Sequence, residues 1–145
     1  MATTVERNPR RDAIQLPSIE VIDVAGNPPL AASATILKGT FAINDAGVVK
    51  PMPSSGTPTA GSLLLGIAED TYVETTGSDT LRRMCFLRGE FWIQAKTGDV
   101  PAATELKKLI YIGDNATVQK TTPGANALTV LCTGVSALET KVLVS

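Results

Sequence analysis

The sequence contains no histidine, and this one absence removes His-dependent triads, most zinc sites and haem-type ligation. Cysteine is nearly as scarce: Cys85 and Cys132 are the only two, and no C-x-x-C pair occurs. A disulfide framework or a zinc knuckle is thereby excluded. Each thiol sits in an apolar run, which reads as a buried free cysteine, while a single Cys85–Cys132 bridge would require oxidising surroundings. Neither charge sign dominates, with 13 basic and 14 acidic residues and a net charge of −1. That balance argues against a strongly basic nucleic-acid binder and against a polybasic membrane-surface protein. Long apolar runs are missing too. The longest uncharged one, Leu63-Leu64-Leu65-Gly66-Ile67-Ala68, is far short of the roughly 20 residues of a membrane span. The opening residues Met1 to Arg7 show no apolar core of a secretory signal, so Asn115-Ala116-Thr117 is not expected to act as a glycosylation sequon. No glycine-rich phosphate loop of either common spacing is present. Adjacent carboxylates such as Glu69-Asp70 point to opposite faces of a strand, which does not give a converging acid/base pair. These absences together predict a non-enzymatic chain with no cofactor and no metal, binding neither nucleic acid nor membrane.

What is present points to β structure. Val, Ile, Leu and Phe occupy 38 of 145 positions, enough for an ordered core in one domain. Val, Ile and Thr fill 39, while helix-period stripes are scarce. Strands are predicted at 34–44, 47–50, 63–69, 80–95, 109–112, 117–120, 127–135 and 138–144. Turn residues separate them at Asn44-Asp45-Ala46-Gly47, Thr76-Gly77-Ser78-Asp79, Gly113-Asp114-Asn115 and Thr122-Pro123-Gly124. The Pro/Ser/Thr/Gly-rich stretch 51–62 reads as a loop, and one short helix is expected over 102–108, with Pro101 at its start. The fold class is therefore all-β: a small β-barrel or sandwich with one short helix and an extended N-terminal arm. Phe41 to Lys50 echoes Tyr111 to Lys120, each followed by a Pro/Gly/Thr loop and an apolar strand ending Gly66-Ile67 or Gly134-Val135. The echo suggests two hairpin-plus-strand units sharing a barrel or sandwich.

Residues 1–30 stand apart as an extended N-terminal arm, and 31–145 as the β-rich domain. The arm carries Arg7, Arg10 and Arg11, then the aliphatics Ile14, Leu16, Ile19, Val21, Ile22 and Val24, and closes on Gly26-Asn27-Pro28-Pro29. Pro-Pro resists helix, and so many aliphatics in a short stretch suit docking onto a partner better than solvation. Within 80–95, odd positions include Leu81, Cys85, Leu87, Phe91, Ile93 and Ala95 and read as core-facing. Even positions mix Met84, Phe86 and Trp92 with Arg82, Arg88 and Glu90. Aromatics, Met and Arg are what interface centres favour, so Met84, Phe86, Arg88 and Trp92 are a candidate subunit interface. The competing reading makes Gly89 a bulge that turns Trp92 into the core.

This pattern resembles the capsid decoration proteins of tailed bacteriophages. The resemblance spans roughly residues 1–101: an N-terminal arm, a Gly66-Ile67 strand, a Thr75-Thr76 link, Phe86 on a strand, Gly89-Glu90-Phe91 and a later Pro101. The remainder, with Leu109 to Asp114 and Thr129 to Val135, is similar to phage cement proteins that have a β-barrel body. The resemblance implies a structural virion protein, made in the host cytoplasm and placed on the capsid exterior. It implies a homotrimer that binds the expanded shell and stabilises it against internal DNA pressure. The arm is implied to contact the major capsid protein by adding a strand: Arg7, Arg10 and Arg11 would meet acidic groups, and the aliphatics would anchor. Two other classes stay open: a tail- or fibre-associated module binding host glycans, and a small enzyme using carboxylates such as Glu69 or Glu90.

Overall fold

The computed structural model describes residues 3–10, 20–25 (as backbone), 28–76 and 82–145. The described residues form eleven strands: β1 (Glu20–Ala25), β2 (Thr35–Ile36), β3 (Phe41–Asp45), β4 (Val48–Pro51), β5 (Leu63–Ala68), β6 (Tyr72–Val73), β7 (Arg83–Ala95), β8 (Leu109–Ile112), β9 (Thr117–Gln119), β10 (Thr129–Val135) and β11 (Glu139–Val144). The protein is all-β. Five strands close on themselves in the order β7-β11-β10-β8-β9-β7, with a short parallel β7–β9 contact completing the ring. Closure removes the exposed edges that a small open sheet would leave.

Strand β7 is long enough to serve two structures. Its second half, from Gly89 to Gln94, pairs with β11 in the barrel, while its first half pairs with β1 on one edge and β5 on the other. Strands β5, β3 and β4 continue outward as a flanking sheet. The side chains accordingly sort into two cores. Phe91, Ile93, Ile110, Ile112, Val118, Val130, Cys132, Val142 and Val144 fill the barrel, joined by Phe41, Ile43 and Ile67 from the sheet face turned to it. On the sheet's other face Leu30, Ile36, Ala42, Val49, Leu65, Ala68, Met84 and Phe86 form the second.

This division settles the role of Gly89. Pairing runs without a shift on either side of it, from Ala25↔Arg83 to Glu20↔Arg88 and from Val144↔Gly89 to Glu139↔Gln94. Gly89 is therefore not a bulge. Its φ of 137° marks where β7 passes from one set of partners to the next, a conformation that favours glycine. Alternation holds throughout: Leu87, Phe91, Ile93 and Ala95 lie on one face, Met84 and Phe86 on the other. Register shifts lie instead in β10, where Thr133 is extra opposite β11, and in β5. Ala42 pairs with Gly66 but Ile43 with Leu64, so Leu65 is extra, and Leu64 and Ile67 serve the first core while Leu65 and Ala68 serve the second.

The sequence echo has a structural counterpart. In both units a hairpin is followed by a loop and a strand that returns beside the hairpin's first member, giving the orders β4-β3-β5 and β9-β8-β10. Each hairpin turn is held by a short polar side chain. Asn44 Oδ1 accepts the amide of Gly47 at 3.1 Å, and Asp114 Oδ1 accepts those of Ala116 and Thr117 at 2.8 and 2.9 Å.

The expected helix over 102–108 shrinks to a single turn, Ala103–Glu105. Glu105 accepts the Ala102 amide at 2.7 Å, a bond that holds its carboxyl below the usual range. Immediately afterwards the backbone is captured by β10, through Lys107 N–H to Cys132 O and Cys132 N–H to Lys108 O. The expected strand over 34–44 is interrupted at Gly39, whose φ is 81°. Strand β6 escaped prediction because it is only two residues long. Leu30, placed by sequence at the end of the arm, belongs to the second core.

Candidate interaction surfaces

Of the residues expected to bind a capsid, Arg11, Ile14, Leu16 and Ile19 lie outside the described residues. Val21, Ile22 and Val24 belong to β1, which runs antiparallel to β7. The direction of its backbone groups follows from β7. Cys85 uses its amide and carbonyl on the edge away from β1, donating to the Tyr72 hydroxyl at 2.8 Å and accepting from Glu69 N–H at 3.0 Å. Its pairing with Asp23 is therefore of the non-hydrogen-bonded kind, and Asp23 and Val21 turn their own N–H and C=O away from β7. Among the described residues nothing pairs with that outer edge. The Tyr72 hydroxyl was not singled out from sequence. Burial pushes its pKa up, so it remains a neutral donor and acceptor against β7.

Arg7 and Arg10 lie on the body as part of an extended segment, residues 3–10. The Arg7 amide donates to Lys38 O at 2.6 Å and its guanidinium to Gln94 Oε1 at 3.0 Å. The Arg10 carbonyl accepts the amide of Trp92 at 2.7 Å, and its guanidinium reaches Glu139 at 3.3 Å and stands 4.5 Å from the centre of the Trp92 ring. At the start of the segment, Asn115 holds Thr3 at both backbone groups, accepting N–H at 3.0 Å and donating to C=O at 3.2 Å. Thr71 donates to Glu6 at 2.6 Å. Between this segment and the barrel lies a cleft of about 650 Å³, walled by Trp92, Gln94, Gly39, Leu138 and Glu139.

The expected Met84/Phe86 interface is corrected. Both side chains are 0% exposed within the chain's own second core, so they offer no surface to a second copy. The physical reason is that the opposite face of β7 is covered as well, by Leu30, Ile36 and the flanking sheet. Arg88 is folded onto the β5 bulge, donating to Leu65 O at 2.9 Å and Leu64 O at 3.2 Å. Trp92 is half-buried, its ring covered by Arg10 and, at 5.6 Å, by Lys141.

The barrel exterior carries a feature that strand-by-strand reading missed. Leu109 pairs with Leu131, and Leu131 with Leu143, so three leucines stand side by side across β8, β10 and β11. Leu109 is 63% exposed and the other two are half-buried. The alternation in each strand signals an outward leucine, but only cross-strand register puts the three in one row.

Cys85 and Cys132 are both free thiols. Burial raises the Cys132 pKa, which keeps it protonated and unreactive. Glu69 and Asp70 are exposed, and Glu90 faces Lys141 at 3.7 Å. Among the described residues no group of His, Cys, Asp and Glu side chains is arranged to hold a metal, and no helix is long and apolar enough to cross a membrane. No protein-family model, curated protein or solved structure matches the chain.

Proposed function

We propose that this chain is a structural virion protein of a tailed bacteriophage, binding the outer surface of the expanded capsid and stabilising it against internal DNA pressure. Its partner is the major capsid protein, and its site the capsid exterior after synthesis in the host cytoplasm. The observation that supports this best is the outer edge of β1, which nothing among the described residues pairs with and where Val21 and Asp23 turn main-chain donors and acceptors outward. Strand addition draws affinity from backbone bonds and specificity from alternate side chains. Ile14, Leu16 and Ile19, immediately before β1 in sequence, supply apolar anchors in this reading. The reading involves no catalysis, nucleic acid or membrane. The glycan-binding alternative has a single tryptophan to draw on.

Co-sedimentation with expanded capsids lacking the protein tests this. Saturable binding is expected, with occupancy tied to the number of three-fold positions. Val21→Pro and Asp23→Pro each remove an outward N–H while keeping the β7 ladder, and should weaken binding about tenfold or more. Absence of saturable binding by the unaltered chain overturns the proposal, and glycan-array binding would then replace it.

The same reading makes the chain a homotrimer, and the leucine row is the surface that suits self-contact. Three leucines bury a small area, so self-association in solution is weak and appears only at high protein concentration, and repeated contacts on a shell reinforce it. Leu109→Lys is expected to reduce self-association measured by sedimentation velocity while changing unfolding stability by no more than about 0.5 kcal/mol. An unchanged association profile would remove the row from the interface.

A further inference from the structure

We propose that residues 3–10 form a detachable strap, which opens from the folded body as one unit and uncovers Trp92 and the edge of β7 beside it. The strap contributes no side chain to either core. Each of its residues is exposed or half-buried, and its one large aliphatic, Val5, is 66% exposed. Among the described residues it is held by polar contacts at its margin that include the Asn115 clamp on Thr3, Thr71 to Glu6, Arg7 to Lys38 and Gln94, and Arg10 to Trp92 and Glu139. Such bonds, exposed at Glu6, Arg7 and Arg10 and part-buried at Asn115, contribute little net free energy each, because water replaces them on opening. Away from its seat at Gly39, the strap borders a cleft of about 650 Å³ rather than a packed surface. The body beneath is complete without it, since the barrel closes through β7, β11, β10, β8 and β9 alone.

The seat is nonetheless shaped for this segment. A Cβ on Gly39 would fall 1.9 Å from the Arg7 carbonyl oxygen, so the strap backbone occupies the space that any other residue would fill. Low local stability on a fitted seat describes a two-position element rather than a frayed end. Opening frees the Trp92 N–H from the Arg10 carbonyl, which leaves a main-chain donor on the β7 edge. It also lengthens the N-terminal segment that a partner can engage, a consequence that rests on the capsid reading, whereas the opening itself does not.

Amide hydrogen exchange on the full chain, with no shells present, tests the strap directly. The Arg7 and Trp92 amides should exchange at least about 100-fold faster than those of Ile112 and Cys132, which bond within the barrel. Asn115→Ala removes the clamp side chain and should speed exchange at Arg7 and Trp92 about tenfold, with greater acrylamide quenching of Trp92 and no change at Ile112. Deleting residues 1–10 should leave a cooperatively unfolding body whose Trp92 is quenched as in the open state. If Arg7 and Trp92 instead exchange at the same rate as Ile112, the strap opens only with global unfolding and the proposal fails. Shell binding takes no part in these measurements, so the strap and the capsid reading can fail separately.

Discussion

Replacing Phe86 with alanine is expected to destabilise the isolated chain by about 4 kcal/mol, lowering its melting temperature by roughly 10 °C. The ring has no solvent exposure and is enclosed by Leu30, Ile36, Val49, Leu65 and Met84, with the Tyr72 ring tilted at 60° and 6.0 Å away. Its loss removes the transfer free energy of a large aromatic and leaves a cavity that a sheet fixed on both edges closes poorly. Urea denaturation at several protein concentrations checks this. A loss independent of concentration is the signature of a core residue. A loss that appears only as weakened association, with the monomer's stability intact, would return Phe86 to a subunit interface.

The second large effect is expected at Asp114. Its carboxylate is 1% exposed, and Oδ1 alone accepts three bonds, from the amides of Ala116 and Thr117 and from the Thr117 hydroxyl at 3.0 Å. Asp114→Ala takes the acceptor from two buried N–H groups at the turn that joins β8 to β9, and β9 is the strand through which the barrel closes onto β7. We expect a loss of about 3 kcal/mol, against about 1 kcal/mol for Asp114→Asn, which keeps an oxygen at Oδ1. Equilibrium unfolding of the two variants side by side distinguishes the acceptor from the charge. Equal losses would mean that the charge, and not the turn's hydrogen bonds, carries the stability.

The local features of this fold were legible in the sequence because they rest on short-range rules. The alternation through Phe91, Ile93 and Ala95, the turn residues at Asn44 and Asp114, and the echo between the two hairpins all lie within a few residues of their cause. The pairings that decide the surface have no such local mark. Met84 and Phe86 looked like an outward face because nothing in β7 announces that Leu30 and Ile36 will cover it. The run Leu63-Leu64-Leu65 gave no sign that one extra residue would split it between two cores. The leucine row exists only in the register of three strands, and the strap's seat on Gly39 links positions far apart in the chain. Patterning constrains which side of an element is apolar, while partner choice is a long-range property.

The five-stranded ring has a consequence for the order of events during synthesis. β11 follows β7 and β10 in the chain, yet it pairs with both of them and carries the buried Val142 and Val144. Until residues 139–144 have left the ribosome, β7 and β10 present open edges and the barrel interior stays wet, so the domain cannot mature one segment at a time behind the growing chain. Barrel closure waits for β11, and a nascent chain stalled a few residues short of it holds sticky edges that invite pairing with a neighbour.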